Sequence, residues 1–249
     1  MQQLSTTRSY TISLAQHSYF NLAGHNSPNR ILDHTLQMNC SEYTPVDNTS
    51  IPTRQVQKVD NAMSFCEKKT LGDALEVYAV EKAGIEQALA KDMVQQVMEG
   101  SSDSIANEED SPYGFDHNYI IDEDSRAYRS PSEGEDDNLH LAAILTHPPT
   151  QRSLHVLTSV PGIQLYTSNY LDGKTPPPAL CKDGASYLRW QGICLETQTY
   201  PDSIYPDNNI NNDNDKFSKG RCFILRPGGP EYNHIVQYEF HNIMNTATE

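Results

Sequence analysis

Short apolar segments separated by Pro, Gly, Asn and Asp recur along most of the chain, and this punctuation limits what the chain can fold into. Such spacing is typical of short strands joined by turns in an antiparallel sandwich. A length of 249 residues suffices to bury one large core. We therefore predict a mainly β fold, an antiparallel β-sandwich, with residues 1–249 forming a single domain. The strand candidates are Thr11–Ala15, Arg30–Met38, Ala142–Thr146, Leu154–Val160, Gln164–Tyr166, Arg221–Leu225 and Ile235–Phe240.

One segment, from Leu71 to Met98, has a different periodicity. Apolar side chains recur in it at four-residue intervals, at Ile85, Leu89, Met93 and Val97. This spacing predicts one inserted amphipathic helix that ends at Gly100. We expect its apolar stripe to pack on the sheet.

The chain is acidic, with a formal net charge of −15 from 33 acidic and 18 basic residues. A negative field repels phosphate backbones and anionic lipids, so we expect neither nucleic acid nor a membrane surface as a partner. Much of the acidity lies in residues 101–111 and 122–137, which we predict to be flexible insertions, and Asp207–Lys219 is a third polar loop.

Cysteine usage and the N-terminus bear on localisation and cofactors. The five cysteines are widely spaced and include no Cys-x-x-Cys pair, which favours reduced thiols over a disulfide framework or a zinc site. Neither a signal peptide nor a membrane-spanning segment is evident. We predict a cytoplasmic protein. Because the nine histidines show no short-range metal spacing, we also predict that it binds no metal.

Residues 192–203 read as a strand that carries a carboxylate between apolar neighbours. The alternation assigns its residues to two faces: Ile193, Leu195 and Thr197 on one, and Cys194, Glu196 and Gln198 on the other. Burial of Glu196 would raise its pKa from the usual ~4.3 toward the range of a general base. A solvated glutamate on an edge strand is the alternative.

A second segment, 16–24, follows a strand-like run, ends at a glycine and carries His17. Together with 192–203 it resembles the aldose 1-epimerases, also called galactose mutarotases. Further blocks in the order of that family extend the resemblance over most of the chain: Ile31–Gln37, Tyr43–Asp47, Gly114–Tyr119, Pro161–Gly173 and Leu225–Gly228.

The resemblance implies a fold, an activity and a set of site residues. It implies a galactose mutarotase-like sandwich that interconverts the α and β anomers of small neutral aldose sugars, hexoses such as glucose and galactose, by acid–base catalysis. This reaction needs no cofactor. Glu196 would act as the base and His17 as the acid, with their roles exchanged when the ring closes. The implied substrate-binding residues are Ser18, Tyr19, Asp116 and Gln164.

The chain also departs from the family pattern. The family begins with an N-terminal portion that supplies an arginine and a second histidine, and we find no counterpart here, since Arg8 and Arg30 lie in the wrong context. We therefore expect an N-terminally truncated, incomplete sandwich whose exposed edge strands favour association. Gln16 stands where the family usually has Asn.

Several alternatives stay open at this point. The chain could be a carbohydrate-binding remnant without catalysis, or a glycoside hydrolase with Asp116 and Glu196 as paired carboxylates. Asp116 followed by His117 could form a turn with a local hydrogen bond. Gln164 could be a solvated side chain, and His34 is expected to be structural.

Overall fold

The computed structural model describes residues 8–99, 113–127, 139–203 and 223–242. Two of the predicted loops, 101–111 and Asp207–Lys219, lie outside these residues, as does the 128–137 part of the second acidic stretch. The described residues form thirteen strands: β1 (Tyr10–Ile12), β2 (Tyr19–Phe20), β3 (Thr35–Met38), β4 (Glu42–Thr44), β5 (Gln57–Lys58), β6 (Lys69–Thr70), β7 (Asp116–Ile120), β8 (His140–His147), β9 (Arg152–Thr158), β10 (Gly162–Tyr166), β11 (Ile193–Gln198), β12 (Phe223–Leu225) and β13 (Val236–Asn242).

The strands are arranged in two large antiparallel sheets. The six-stranded sheet has the order β2-β11-β10-β7-β4-β5, the five-stranded sheet the order β13-β9-β8-β3-β6, and β1 pairs with β12 alone. One apolar core joins the inner faces of both sheets, with Leu36 and Leu145 from the five-stranded sheet and Tyr119 and Leu165 from the six-stranded one. The predicted mainly β, antiparallel sandwich is therefore confirmed.

The prediction of one continuous helix between Leu71 and Met98 is wrong. The chain forms α1 (Leu71–Glu81) and α2 (Gln87–Met98), separated by a turn in which Gly84 has φ +68°. A left-handed residue in that turn interrupts the helical hydrogen bonding, and glycine adopts this conformation without steric cost.

The buried stripe of α2 also differs from the predicted one. Met93 and Val97 are buried as expected, but Leu89 is 49% exposed. Ala90 and Val94 complete the buried stripe in its place, and all four side chains belong to the main core. The apolar face of α2 thus joins the main core, where Val94 lies against Gly72 of α1 and Met93 accepts a contact from the Tyr113 hydroxyl.

Four short 3-10 helices connect the larger elements, at Glu123–Ala127, Pro148–Thr150, Pro178–Leu180 and Lys182–Gly184. The outer face of the five-stranded sheet carries a small second apolar cluster of Leu139, Leu141 and Leu157. Within the described ranges, no helix has the length and apolar character needed to cross a membrane.

Candidate functional site

Three neighbouring strands of the six-stranded sheet build a polar row on one face. Gln164 on β10 is paired with Asn118 on β7 and with Glu196 on β11. Directly paired residues project to the same side of a sheet, so these three side chains stand side by side. The opposite face of β10 and β11 contributes core residues, namely Ile163, Leu165, Ile193 and Leu195. The predicted division of β11 into an apolar and a polar face is therefore correct.

The register of β2 brings His17 to the same row. Tyr19 on β2 is paired with Cys194 on β11. Continuing this antiparallel register by two residues places His17 opposite Glu196. Accordingly, Nε2 of His17 lies 3.2 Å from Oε1 of Glu196. The imidazole and the carboxylate, far apart in sequence, meet at the edge of the sheet.

Hydrogen bonds join the remaining polar side chains of the row. Gln164 Nε2 donates to Asp116 Oδ1 at 2.7 Å, and Gln198 Nε2 donates to Gln164 Oε1 at 3.3 Å. Asn118 Nδ2 donates to Thr44 Oγ1 at 3.3 Å on the neighbouring strand. Asp116 lies within β7, which excludes the alternative of a turn at this residue. The network fixes the orientation of the side-chain amides of Gln164, Gln198 and Asn118. The Gln164 amide is thereby hydrogen-bonded to the Asp116 carboxylate.

A cavity of about 260 Å³ opens over this row. Its walls include His17, Glu196, Asp116 and Gln164, together with Thr44, Val46, Ser50, Pro52, Asn118, Gln198 and Pro201. A second hollow of about 380 Å³ lies beside it, and residues of both hollows include Val46, Ser50 and Asp116. The structure thus brings four of the six predicted site residues into one cavity.

The loop between β4 and β5 forms the rim of this cavity. Val46 and Pro52 form an isolated antiparallel bridge at its base. Asp47 Oδ1 accepts hydrogen bonds from the backbone N–H groups of Thr49 at 2.8 Å and Ile51 at 3.1 Å. This local side-chain capping gives the rim a defined shape.

Burial sets the protonation behaviour of the two carboxylates. Glu196 is 7% exposed. Desolvation raises its pKa, the negative charge of Asp116 raises it further, and His17 acts in the opposite direction. Desolvation also raises the pKa of Asp116, against the hydrogen bond from Gln164 and the proximity of His17. The side chain of His17 is 53% exposed, so the imidazole stands at the mouth while the carboxylate lies deeper.

The segment that carries His17 is held by Gln16. The Gln16 amide bonds to the Ser18 hydroxyl, and its Oε1 accepts a hydrogen bond from the Ser18 backbone N–H at 3.3 Å. Tyr238 on β13 donates to the same Oε1 at 2.8 Å. The residue that departs from the family pattern is therefore the anchor of this segment.

The two other predicted substrate-binding residues are placed differently. Ser18 is engaged by Gln16, and Tyr19 is 48% exposed; neither is among the residues that line the 260 Å³ cavity. The Tyr19 ring does contact the His17 ring, with centroids 5.3 Å apart, and it lines a separate, more apolar hollow with Phe20 and Tyr187.

Sequence reasoning missed part of the cavity wall. Asn118 lies two residues after Asp116 on β7, so the period of a strand, applied to the Gly114–Tyr119 block, would have placed it on the same face. The contribution of Val46, Ser50 and Pro52 depends on the fold of a loop and has no comparable signal in the sequence.

Two further residues considered at the sequence level have structural partners. His34 is fully buried; its Nε2 accepts the Leu22 backbone N–H at 3.0 Å, and its Nδ1 lies 3.0 Å from Asp33 Oδ1. These contacts agree with the structural role expected for it. Arg30 is 7% exposed and donates to the backbone oxygen of Arg189 at 2.9 Å, away from the cavity.

Comparison with known proteins identifies the family of this chain. Residues 2–218 match the sequence profile of the family described as aldose 1-epimerase. The chain belongs to the aldose 1-epimerase family. It is 32% identical over 230 residues to the galactose mutarotase of Mus musculus and 31% identical to that of Homo sapiens, in each case over 92% of this chain and 49% of the relative. The chain thus spans about half the length of the curated relatives it matches.

Solved structures agree on the fold. An aldose epimerase homologue from C. elegans superposes with a TM-score of 0.54 at 20% identity, over 94% of this chain and 53% of that one. A galactose 1-epimerase from Lactobacillus acidophilus gives a TM-score of 0.52 at 20% identity, over 95% and 51% of the two chains. The sandwich is therefore of the galactose mutarotase-like type, as the resemblance implied.

Proposed function

We propose that this chain carries the acid–base pair of an aldose 1-epimerase and interconverts the α and β anomers of hexoses such as glucose and galactose. The observation that supports this most strongly is the contact of 3.2 Å between His17 Nε2 and Glu196 Oε1 in the wall of a cavity in a member of this family. A buried carboxylate beside an imidazole is the pair that opening a cyclic hemiacetal requires.

Ring opening needs two proton transfers in concert. A bound hemiacetal would replace the His17–Glu196 contact, with its C1 hydroxyl toward Glu196 and its ring oxygen toward His17. Glu196 takes the proton from the C1 hydroxyl, the C1–O bond to the ring oxygen breaks, and the imidazolium of His17 protonates that oxygen. The products are an open-chain aldehyde, a neutral imidazole and a protonated Glu196.

Ring closure reverses the roles after rotation about the C1–C2 bond. The hydroxyl that was the ring oxygen attacks the other face of the C1 carbonyl and gives its proton to His17. Protonated Glu196 returns its proton to the carbonyl oxygen, which becomes the new C1 hydroxyl. Both groups regain their starting states, so the cycle consumes nothing and needs no redox cofactor.

The remaining polar groups suit the hydroxyls of a sugar. Asp116 and Gln164 offer an acceptor and an amide whose orientations are already fixed by their mutual hydrogen bond of 2.7 Å. Preorganised polar groups lower the cost of ordering the site when a ligand binds. We keep Ser18 and Tyr19 as proposed substrate-binding residues, with Tyr19 acting beside the His17 ring.

A second candidate is a carbohydrate-binding remnant that lacks catalysis. It is favoured by the exposure of His17, whose side chain is 53% accessible. An imidazole that water reaches stabilises a developing charge less than a shielded one does.

Polarimetry of freshly dissolved α-D-glucose separates these candidates. The wild-type chain should accelerate mutarotation above the buffer rate, and Glu196→Gln should lower that acceleration by about 10²–10⁴-fold. Glu67→Gln, at an exposed glutamate, serves as the matched control. Sugar binding without acceleration by the wild-type chain would favour the remnant, and release of sugar from an aryl glycoside would favour hydrolysis.

We also infer the setting in which the chain works. The described cysteines Cys40, Cys66, Cys181 and Cys194 are free thiols, which suits the reducing cytoplasm. That residues 1–249 form a single domain with acidic insertions stays a prediction. That the chain has no nucleic-acid or membrane partner also stays a prediction. So does association through edge strands, which the 63% exposure of Phe240 on β13 supports.

A further inference from the structure

Three side chains with metal-binding chemistry share the outer face of the five-stranded sheet. Glu239 on β13 is paired with His155 on β9, and His241 follows Glu239 by two residues. Paired residues and residues two apart on a strand project to the same side. Leu154 and Val156, the neighbours of His155 on β9, belong to the main core, so these three side chains project from the opposite face.

The ligand atoms of these side chains converge. One nitrogen from each histidine and one carboxylate oxygen all lie within 4.8 Å of one another. The two imidazole rings have centroids 4.5 Å apart, and His241 Nε2 lies 3.5 Å from Glu239 Oε2. Zinc bonds of roughly 2.0–2.2 Å in a tetrahedron place ligand atoms about 3.4 Å from each other, so atoms within 4.8 Å need to approach by about 1.4 Å at most.

We propose that His155, Glu239 and His241 bind a divalent transition-metal ion, with Zn²⁺ as the preferred occupant, and that the ion ties β13 to β9. Two imidazoles and one carboxylate form a ligand set that zinc uses, and three protein ligands leave the fourth position to water. The carboxylate offsets part of the charge of the ion, and the net charge of −15 favours a cation. This site does not depend on the proposed mutarotase activity, because it lies on the other sheet.

Other groups of potential ligands suit a metal less well. In the group of Asp33, His34 and His147, both ring nitrogens of His34 already have hydrogen-bond partners, Asp33 and the Leu22 backbone N–H. The group of His17, Cys194 and Glu196 coincides with the proposed acid–base pair. In the outer-face group, Glu239 Oε1 accepts a hydrogen bond from Gln237 Nε2 at 2.8 Å, and Glu239 Oε2 lies 3.5 Å from His241 Nε2.

The position of the site suggests what a bound ion would do. β13 is an edge strand of its sheet among the described residues, and its inward-facing Tyr238 holds Gln16. Metal coordination across a strand pair adds bonds that the unfolded chain lacks, so it stabilises the folded state. A bound ion would therefore stabilise the position of β13, whose Tyr238 anchors the His17 segment through Gln16.

Isothermal titration of the full chain with Zn²⁺ tests the proposal, using protein without a histidine tag that has been freed of metal by EDTA and dialysed. We expect one equivalent of Zn²⁺ whose affinity falls by at least about tenfold in His155→Ala and in His241→Gln. His25→Ala is the matched control, because this histidine contacts Tyr187 and Asp183 elsewhere on the surface. Zn²⁺ should also raise the melting temperature of the wild type and of His25→Ala, but not of the other two variants.

Two results would overturn the proposal. One is a wild-type chain that takes up no Zn²⁺. The other is uptake by His155→Ala and His241→Gln that equals that of the wild type. His241→Gln keeps the test valid if His155→Ala fails to fold, since His241 is an exposed side chain near the end of β13.

Discussion

The phenolic O–H of Tyr238 donates a hydrogen bond of 2.8 Å to Oε1 of Gln16, which links β13 of the five-stranded sheet to the segment that carries His17. The same Tyr238 hydroxyl lies 3.4 Å from the backbone oxygen of Leu195, next to Glu196. One side chain from the opposite sheet therefore contacts the segments of both proposed catalytic groups.

Removal of this hydroxyl should slow the proposed catalysis. In Tyr238→Phe the ring still packs against Phe20, with ring centroids 5.3 Å apart. Gln16 Oε1 loses the hydrogen bond from the Tyr238 hydroxyl. A lost hydrogen bond of about 0.5–1.5 kcal/mol corresponds to a fall in kcat of roughly 2- to 13-fold if it acts on the position of His17. Steady-state polarimetry measures the change, and Tyr10→Phe, at a tyrosine 55% exposed, is the control. An unchanged kcat would show that the hydrogen bond does not position His17.

The pH profile of mutarotation should reflect the buried state of Glu196. Burial raises its pKa, and the charge of Asp116 raises it further against the effect of His17. Since a base acts only when ionised, the rate should fall as pH drops through this raised pKa, above the usual carboxylate value of about 4.3. Asp116→Asn removes a neighbouring negative charge and should move this limb to lower pH. A limb that stays in place would contradict the coupling.

The stability of the fold should decrease in mild acid because of His117. Burial lowers the pKa of His117 to about 4, with Lys82 as a smaller cause, and its Nδ1 accepts the Asp116 backbone N–H at 3.2 Å. The unfolded chain therefore binds a proton near pH 6.5 that the folded chain does not, so the free energy of unfolding falls as pH drops from about 6.5 toward 4.

Urea unfolding at pH 7, 5.5 and 4.5 measures this dependence. His117→Gln should reduce the change in the free energy of unfolding with pH over this interval. His25→Gln, at a less buried histidine, should leave that change close to the wild-type value. Equal slopes for wild type and His117→Gln would show that another group causes the acid sensitivity.

A side chain at Gly162 should destabilise the folded state while Asn118 is present. A Cβ at this position would lie 2.7 Å from Asn118 Oδ1 and 3.1 Å from the backbone oxygen of Gln198. We expect Gly162→Ala to lower the free energy of unfolding by about 1–3 kcal/mol, as overpacking does. In combination with Asn118→Ala the cost should be smaller, since the nearest clash is removed, and a double-mutant cycle in urea measures the difference. Strictly additive effects would contradict this explanation.

Much of the sheet structure follows from local patterns. The alternation around Glu196 correctly separated core from cavity because a strand has a period of two and one of its faces had to be buried. The meeting of His17 and Glu196 came only from the family resemblance, because the register between β2 and β11 joins residues far apart in sequence.

The errors have equally specific causes. The helix prediction extended through Gly84 because the apolar spacing continues from Ile85 onward, while the reversal of the chain depends on one left-handed residue. The proposed metal-binding group has no signal in the sequence, because Glu239 and His155 are brought together by strand pairing and not by proximity in the sequence. Tertiary contacts of this kind leave no short-range motif.

The polar row of Glu196, Gln164 and Asn118 also has an evolutionary consequence. Its three members stand on adjacent strands joined by backbone ladders, so their spacing cannot drift without breaking the sheet. The rim loop between Val46 and Pro52 is held by its own bridge and by the Asp47 side chain, and not by a neighbouring strand of the sheet. For the proposed activity, changes in the rim would alter the preference among sugars during evolution, while the sheet backbone would conserve the proton-transfer geometry.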